Sequence, residues 1–260
     1  MRRTDLKQKL ELGPCFGTFL KLPRPEIVDI LALAGFDFVV CDMEHAQVTE
    51  GEAREVIRAC VAADLPVVVR LPEPVQGLVN RLLEAGATGI QMPRLKSGMD
   101  TSRLHSMMHF PPFGTRSFGN ANIPGGYGSV PIPQYLEQES ARVLTIGQFE
   151  TREMEQPCEP MFDGLDVAFI GPMDLSIDLG VPGNFNDPAV QRRIIEIEKA
   201  AAKTGTIMGA FAGTMEEVQR YLRAGYRYLA VSGDISLFSK GAKSLISQLR
   251  ETYEESLTHK

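Results

Sequence analysis

LALAGFDFVVCD, residues Leu31–Asp42, decides the reading of the fold. A helix-like stretch runs to Gly35, and an apolar run then carries the chain to an acid. Gly just past a helix is the usual terminating residue, because it enters the left-handed region without a Cβ penalty. An apolar run dense in Val and Phe reads as a strand buried on both faces, as in a parallel sheet. The same unit returns in RLLEAGATGIQMP around Gly86, MFDGLDVAFIGP around Gly164 and YLRAGYRYLAVSGD around Gly225. Collecting such runs predicts strands over Cys15–Leu20, Phe36–Cys41, Val67–Leu71, Gly89–Met92, Leu144–Phe149, Val167–Ile170, Ile207–Phe211 and Tyr228–Val231. Apolar positions at helical spacing predict helices over Pro25–Ala34, Glu50–Ala63, Val75–Ala85, Pro188–Lys203 and Thr214–Ala224. Thr49 and Thr214 fit as N-caps, with Glu217 completing a capping box. Strand–helix alternation of this kind in 260 residues points to one α/β domain over residues 1–260, a (β/α)8 TIM barrel. An open doubly wound sheet fits less well, since no GxGxxG follows the first strand.

Composition narrows the partners. The chain is 43% hydrophobic, enough for one large core, and its formal net charge of -6 argues against nucleic acid or an anionic membrane surface. No apolar run approaches the roughly 20 residues of a membrane span. The charged start MRRTDLKQKLELG lacks the apolar core of a signal peptide, so a cytoplasmic location is expected. Four cysteines without a CxxC pair read as reduced and structural. Phe110–Pro133 is too rich in Gly and Pro for helix or strand. It is expected to follow strand four and to hang over the active face as a lid or subunit contact, with a plain surface loop as the equal alternative. Lys243–Ser256 reads as an amphipathic helix that packs on the barrel or on a neighbouring subunit.

Catalytic groups of such a barrel gather at the C-terminal ends of its strands. Those ends deliver Asp42 and His45 in CDMEH, Arg70 in VVVRLP, Gln148 and Glu150 in IGQFETRE, Asp174 in VAFIGPMDLS, and Ser232, Gly233 and Asp234. Glu150 and Asp174 at neighbouring strand ends suit a hard divalent cation with open positions for substrate. His45, oriented by Asp42, suits a general base, and Arg70 suits a fixed charge facing an oxyanion. Each residue alone has a plainer reading: a solvated loop histidine, a rim salt bridge, a helix N-cap, a first-turn acid. His105 and His109 stand at i, i+4 but lack the Glu of HExxH, and read as surface.

The joint set resembles the HpcH/HpaI family of metal-dependent, class II pyruvate aldolases. The likeness runs through GTFLKLPRPEIVDILALAGFDFVVCDMEH, VVVRLPEP, LLEAGATGIQMPR, FPPFGTRSFG, IGQFET, FIGPMDLSIDLG and SGDISLF. It implies a hexamer, a trimer of dimers with exchanged C-terminal helices, and Mg2+, Mn2+ or Co2+ as cofactor. It also implies that Glu150 and Asp174 bind the metal and that Gln148 holds water or substrate beside it. Arg70 would face the pyruvate enolate oxygen, and His45 would be the acid/base, oriented by Asp42 and Glu84. The backbone of Gly171, Pro172, Met173 and Asp174 would hold the substrate carboxylate. The family often has Asp where this chain has Glu84, and several relatives have Trp where it has Phe19. Both departures bear on the aldehyde side.

The expected reaction is reversible retro-aldol cleavage of a 4-hydroxy-2-oxo acid to pyruvate and an aldehyde through a metal-stabilised enolate. Decarboxylation of a 2-oxo acid such as oxaloacetate is the alternative on the same site. A CoA-thioester lyase lacks an evident basic patch for the phosphates. A metal-independent sugar-phosphate isomerase would need phosphate at the Gly213 and Gly233 turns. A non-catalytic binding protein would leave Glu150 and Asp174 without a purpose.

Overall fold

Gly17 shows how the core is built. A Cβ there would lie 2.3 Å from the Phe38 ring, so the glycine makes room for an aromatic in the barrel axis. Phe38 stacks on Tyr228 with centroids 4.2 Å apart, and Tyr228 meets Phe169 edge-on. Phe38, Phe169, Tyr228 and aliphatic side chains such as Val40, Val68 and Ile146 fill the interior. In the computed structural model, which describes residues 5–258, they lie on eight parallel strands closed into one barrel in sequence order. The strands are β1 (Cys15–Leu20), β2 (Phe38–Asp42), β3 (Val67–Arg70), β4 (Gly89–Met92), β5 (Leu144–Phe149), β6 (Val167–Ile170), β7 (Ile207–Ala212) and β8 (Tyr228–Gly233). All eight expected strands are present. β2 starts two residues late because Asp37 stays in the turn, accepting from the Phe16 amide and from Lys9.

The helices are α1 (Leu6–Leu12), α2 (Pro25–Leu33), α3 (Glu50–Ala62), α4 (Gln76–Ala85), α5 (Gly98–Met108), α6 (Ile132–Arg142), α7 (Pro172–Asp178), α8 (Pro188–Thr204), α9 (Met215–Arg223) and α10 (Asp234–Thr258). Thr49 and Thr214 both close capping boxes, with Glu52 and Glu217. Two apolar clusters fill the space between barrel and helices. One gathers β2–β4 with α2–α5, the other β5–β8 with α8 and α9.

The Gly/Pro-rich segment is placed differently from the expectation. It follows α5, not β4, and α5 has already run back toward the N-terminal ends of the strands. The segment therefore packs on the helical flank rather than over the catalytic face. Ser117 accepts from Asn80 of α4, and the Thr115 amide donates to the Ser106 carbonyl of α5. Arg116 is buried, with its guanidinium 3.0 Å from Glu139 and 4.5 Å from the Phe110 ring centre. The segment also ends sooner than expected, because α6 begins at Ile132.

α10 is longer than the expected Lys243–Ser256 helix. Beyond Asp234 it leaves the barrel, and Phe238, Leu245, Ile246, Leu249 and Tyr253 are exposed along it.

Candidate active site

Strand register brings the site together. Asp42 pairs with Arg70 across β2–β3, and Arg70 with Gln91 across β3–β4, so the three share the upper interior layer. Arg70 is 6% exposed and grips Asp42 with both arms of its fork, Nε to Oδ1 at 3.0 Å and Nη2 to Oδ2 at 2.8 Å. Its third nitrogen lies 3.2 Å from Glu44, and its plane covers the Phe19 ring at 4.7 Å. Burial works against the Asp42 charge, but the Arg70 hydrogen bonds outweigh it and hold the carboxyl below its usual range.

Asp42 also accepts from the amides of Glu44 and His45. The expected Asp42–His45 link is therefore to the backbone: Asp42 shapes the turn, and its carboxylate is spent on Arg70 rather than on the imidazole. The ring has Glu44 Oε2 at 3.7 Å and a side chain 55% exposed. Glu44, which the sequence reading passed over, thus stands between Arg70 and His45, and burial pushes its carboxyl up. CDMEH contained the signal, an acid between two chosen residues.

Glu84 does not join them. It lies in the last turn of α4, at the opposite end of the barrel from the β2–α3 turn that carries His45. A Cβ on Gly119 would sit 3.0 Å from its Oε1, and the charges it faces are Arg116, Glu139 and Arg81. A helix runs antiparallel to its strand, so a last-turn residue is carried away from the catalytic face. Within one chain Glu84 therefore stands at the far end of the barrel from His45.

Glu150 follows β5 and is 3% exposed. Its Oε1 accepts from the Arg94 amide at 3.0 Å and its Oε2 from Gln148 Nε2. Arg94 takes a φ of 52°, the left-handed region, to aim that amide. A Cβ on Gly171 would come within 2.5 Å of Glu150 Oε2, so only glycine fits beside the carboxylate. Burial, with Asp174 and Glu44 nearby, pushes Glu150 up to about 7. Asp174 is exposed in the first turn of α7. Asp178 at the end of α7 accepts from Thr151 Oγ1 and the Arg152 amide, tying the Glu150 loop to the Asp174 helix.

Of the four backbone positions expected to hold a carboxylate, two offer an N–H. The Gly171 amide donates to the Phe149 carbonyl and Pro172 has none. Those of Met173 and Asp174 stand in an uncapped first turn. At the α9 turn, the amides of Gly213 and Thr214 are both taken by Glu217. Asp234 accepts from the Lys21 and Leu22 amides, fastening β8 to β1. His105 and His109 stack at 4.2 Å away from this site. Contrary to expectation His109 is buried, and burial followed by the His105 charge pushes it down to about 4.

A cavity of about 600 Å³ opens over this face, lined by the polar side chains of Arg70, Gln148, Asp174 and His45 and by the aromatic rings of Phe19 and Phe211. The family model described as HpcH/HpaI aldolase/citrate lyase matches residues 16–240. The chain belongs to the HpcH/HpaI family. It is a carbon–carbon lyase of the aldolase kind. A hydroxypyruvate/pyruvate aldolase of Paraburkholderia phytofirmans is 32% identical over 94% of this chain and 97% of its own length. A 4-hydroxy-2-oxo-heptane-1,7-dioate aldolase of Salmonella dublin is 31% identical over 95% of this chain and 94% of its own. An HpcH/HpaI family protein of Burkholderia cenocepacia superposes with a TM-score of 0.87 at 31% identity, over 95% of this chain and all of its own. No helix among the described residues is long and apolar enough to cross a membrane.

Proposed function

We propose that this HpcH/HpaI protein cleaves a 4-hydroxy-2-oxo acid reversibly to pyruvate and an aldehyde. One observation carries the reading. Glu44 and Asp174 both stand close enough to Glu150 to raise its proton affinity, and the guanidinium of Arg70, which grips Asp42 and reaches Glu44, makes no contact with Glu150 or Asp174 among the described residues. Surplus negative charge on oxygen donors fits a hard divalent cation. Glu150 and Asp174 would hold it, as Mg2+, Mn2+ or Co2+, and when bound it supplies Lewis-acid polarisation of the 2-oxo group. Among the described residues no group of three His, Cys, Asp or Glu is placed to hold a metal ion, so substrate and water would have to complete the coordination.

The chain's own groups divide the work. The amides of Met173 and Asp174 receive the substrate carboxylate. Gln148, fixed toward Glu150 by one N–H, keeps a second for substrate or water. His45 takes the proton from the C4 hydroxyl. The C4–O electrons form the aldehyde carbonyl, the C3–C4 bond breaks, and its pair becomes the enolate of pyruvate. Arg70 faces the enolate oxygen, and protonation at C3 releases pyruvate. The occupied Gly213 and Thr214 amides speak against a phosphate-binding isomerase.

The test couples pyruvate release to lactate dehydrogenase across a panel of 4-hydroxy-2-oxo acids with Mg2+, Mn2+ or Co2+. Turnover should vanish on chelation and return with metal. A borohydride-trapped pyruvate–lysine adduct would sink the mechanism.

The half-exposed His45 ring favours a second reading, decarboxylation of oxaloacetate, which asks less of an acid/base. His45→Ala separates the two. Aldol cleavage should fall about 10²- to 10⁴-fold, the usual contribution of general acid–base catalysis, while decarboxylation stays within a few-fold.

Glu150 also sets a pH window. Its carboxyl is raised to about 7 in the folded chain, so it binds a proton there that the unfolded chain has released. In the metal-free protein this group's contribution to stability is therefore lost as pH rises through 7. Metal must displace the same proton, so affinity for Mn2+ should fall by up to about tenfold per pH unit below 7 and level off above it. Titration calorimetry at pH 5.5, 6.5 and 8 measures this.

A homo-oligomer, a hexamer built as a trimer of dimers, agrees with the bare apolar residues of α10. Four free, buried cysteines agree with a reducing cytoplasm.

A further inference from the structure

Gln91 has no part in the mechanism above, yet it is wholly buried and shares the interior layer with Arg70. A buried amide is costly unless its hydrogen bonds are used. Gln91 uses one: its Nε2 donates to Gln148 Oε1 at 2.6 Å. Gln148 Nε2 in turn donates to Glu150 Oε2. Gln91 Oε1 has no partner among the described residues.

The chain of bonds has a direction. A carboxylate only accepts, so Gln148 must turn its NH2 group toward Glu150 and its oxygen away. That buried oxygen needs a donor, and Gln91 Nε2 is the one it has. An amide rotates about its last bond between two nearly isosteric arrangements, and its surroundings choose between them. We infer that Gln91 is a positioning residue that locks the Gln148 amide, so that N–H rather than C=O faces Glu150 and the substrate side of the cavity. Without it, the Gln148 oxygen is unsatisfied, and flipping it sets oxygen against oxygen at Glu150. The inference rests on the reading of Glu150 and Asp174 as the metal-holding pair.

The experiment compares wild type, Gln91→Met, Gln148→Met and the double variant. It measures kcat and KM for retro-aldol cleavage, and Mn2+ binding by the loss of free-ion signal in electron paramagnetic resonance. Outer groups that orient metal ligands contribute about 10- to 100-fold to affinity or activity. Gln91→Met should lower kcat by that factor, weaken Mn2+ binding in the same direction and change KM less. Added to Gln148→Met, it should change kcat less than about twofold, because the amide it positions is already gone. Full kcat and Mn2+ affinity in Gln91→Met would overturn the inference. So would an equal loss in both backgrounds, which would make Gln91 a packing residue. Gln91→Asn keeps the site polar but withdraws the donor by one methylene, and gives the same comparison if the Met variant does not fold. Mn2+ binding by wild type that survives in Glu150→Ala would remove the metal reading, and the coupling in kcat would still decide the role of Gln91.

Discussion

Glu150→Ala should abolish turnover, lowering kcat/KM by at least about 10³-fold, and should remove Mn2+ binding with it. Lewis-acid stabilisation is worth several kcal/mol in a transition state, and each 1.4 kcal/mol is about a factor of ten. Glu150 is also the acid that nothing else replaces: its two oxygens are fixed by Gln148 and the Arg94 amide, and Gly171 is stripped to leave it room. The protein should fold, since truncation removes a charge that burial disfavours. In the metal-free state the variant should be no less stable than wild type at pH 8, where the wild-type carboxyl is ionised against its surroundings. A thermal scan with and without Mn2+ checks both halves: wild type should be stabilised by the ion and the variant should not. Wild-type turnover in Glu150→Ala would end the proposed chemistry.

Arg70→Lys should be nearly as damaging, despite keeping the charge. We expect kcat to fall about 10²- to 10³-fold, the range for loss of a fixed donor at a developing oxyanion. Arg70 makes two bonds to Asp42, approaches Glu44 with its third nitrogen and sits over the Phe19 ring. An ammonium is a single compact charge and cannot hold that geometry. The change should also destabilise the fold, because Asp42 is fully buried and breaking a buried pair costs up to about 3–5 kcal/mol. The sign of the pH dependence follows. Asp42 has a lowered folded-state pKa, so its pairing stabilises above the ordinary carboxylate range and is lost as pH falls through the lowered value. The stability gap between Arg70→Lys and wild type should be largest near neutrality and narrow in acid. A gap that widens as pH falls would contradict the role given to Asp42.

The site was legible in the sequence where one side chain's position depends on its own strand. Arg70 ends β3, Gln148 lies on β5 and Glu150 just follows it, and Asp174 follows a Gly-Pro turn; the structure brings all of these to one face. It was not legible where the role depends on a partner. Gln91 was read only as part of the strand run GIQMP, and its meaning comes from an amide 57 residues away. Family position ties Glu84 to His45, and within one chain the direction of α4 puts the two at opposite ends of the barrel. The Gly/Pro-rich segment was expected above the site because it comes after the fourth strand; the intervening α5 puts it on the flank.

Hydrophobic periodicity and Gly placement are local, so the sequence by itself determined the strands, the (β/α)8 barrel and which residues stand at strand ends. Hydrogen-bond partners are not local. Asp42 had His45 three residues away and took Arg70 at 28, because β2–β3 register sets the two side by side in the interior. Register, helix direction and burial decided who holds whom: Asp42 with Arg70, Gln91 with Gln148, and Glu84 with the flank. A buried polar group must pair with what the closed barrel places beside it, and only the closed barrel specifies what that is.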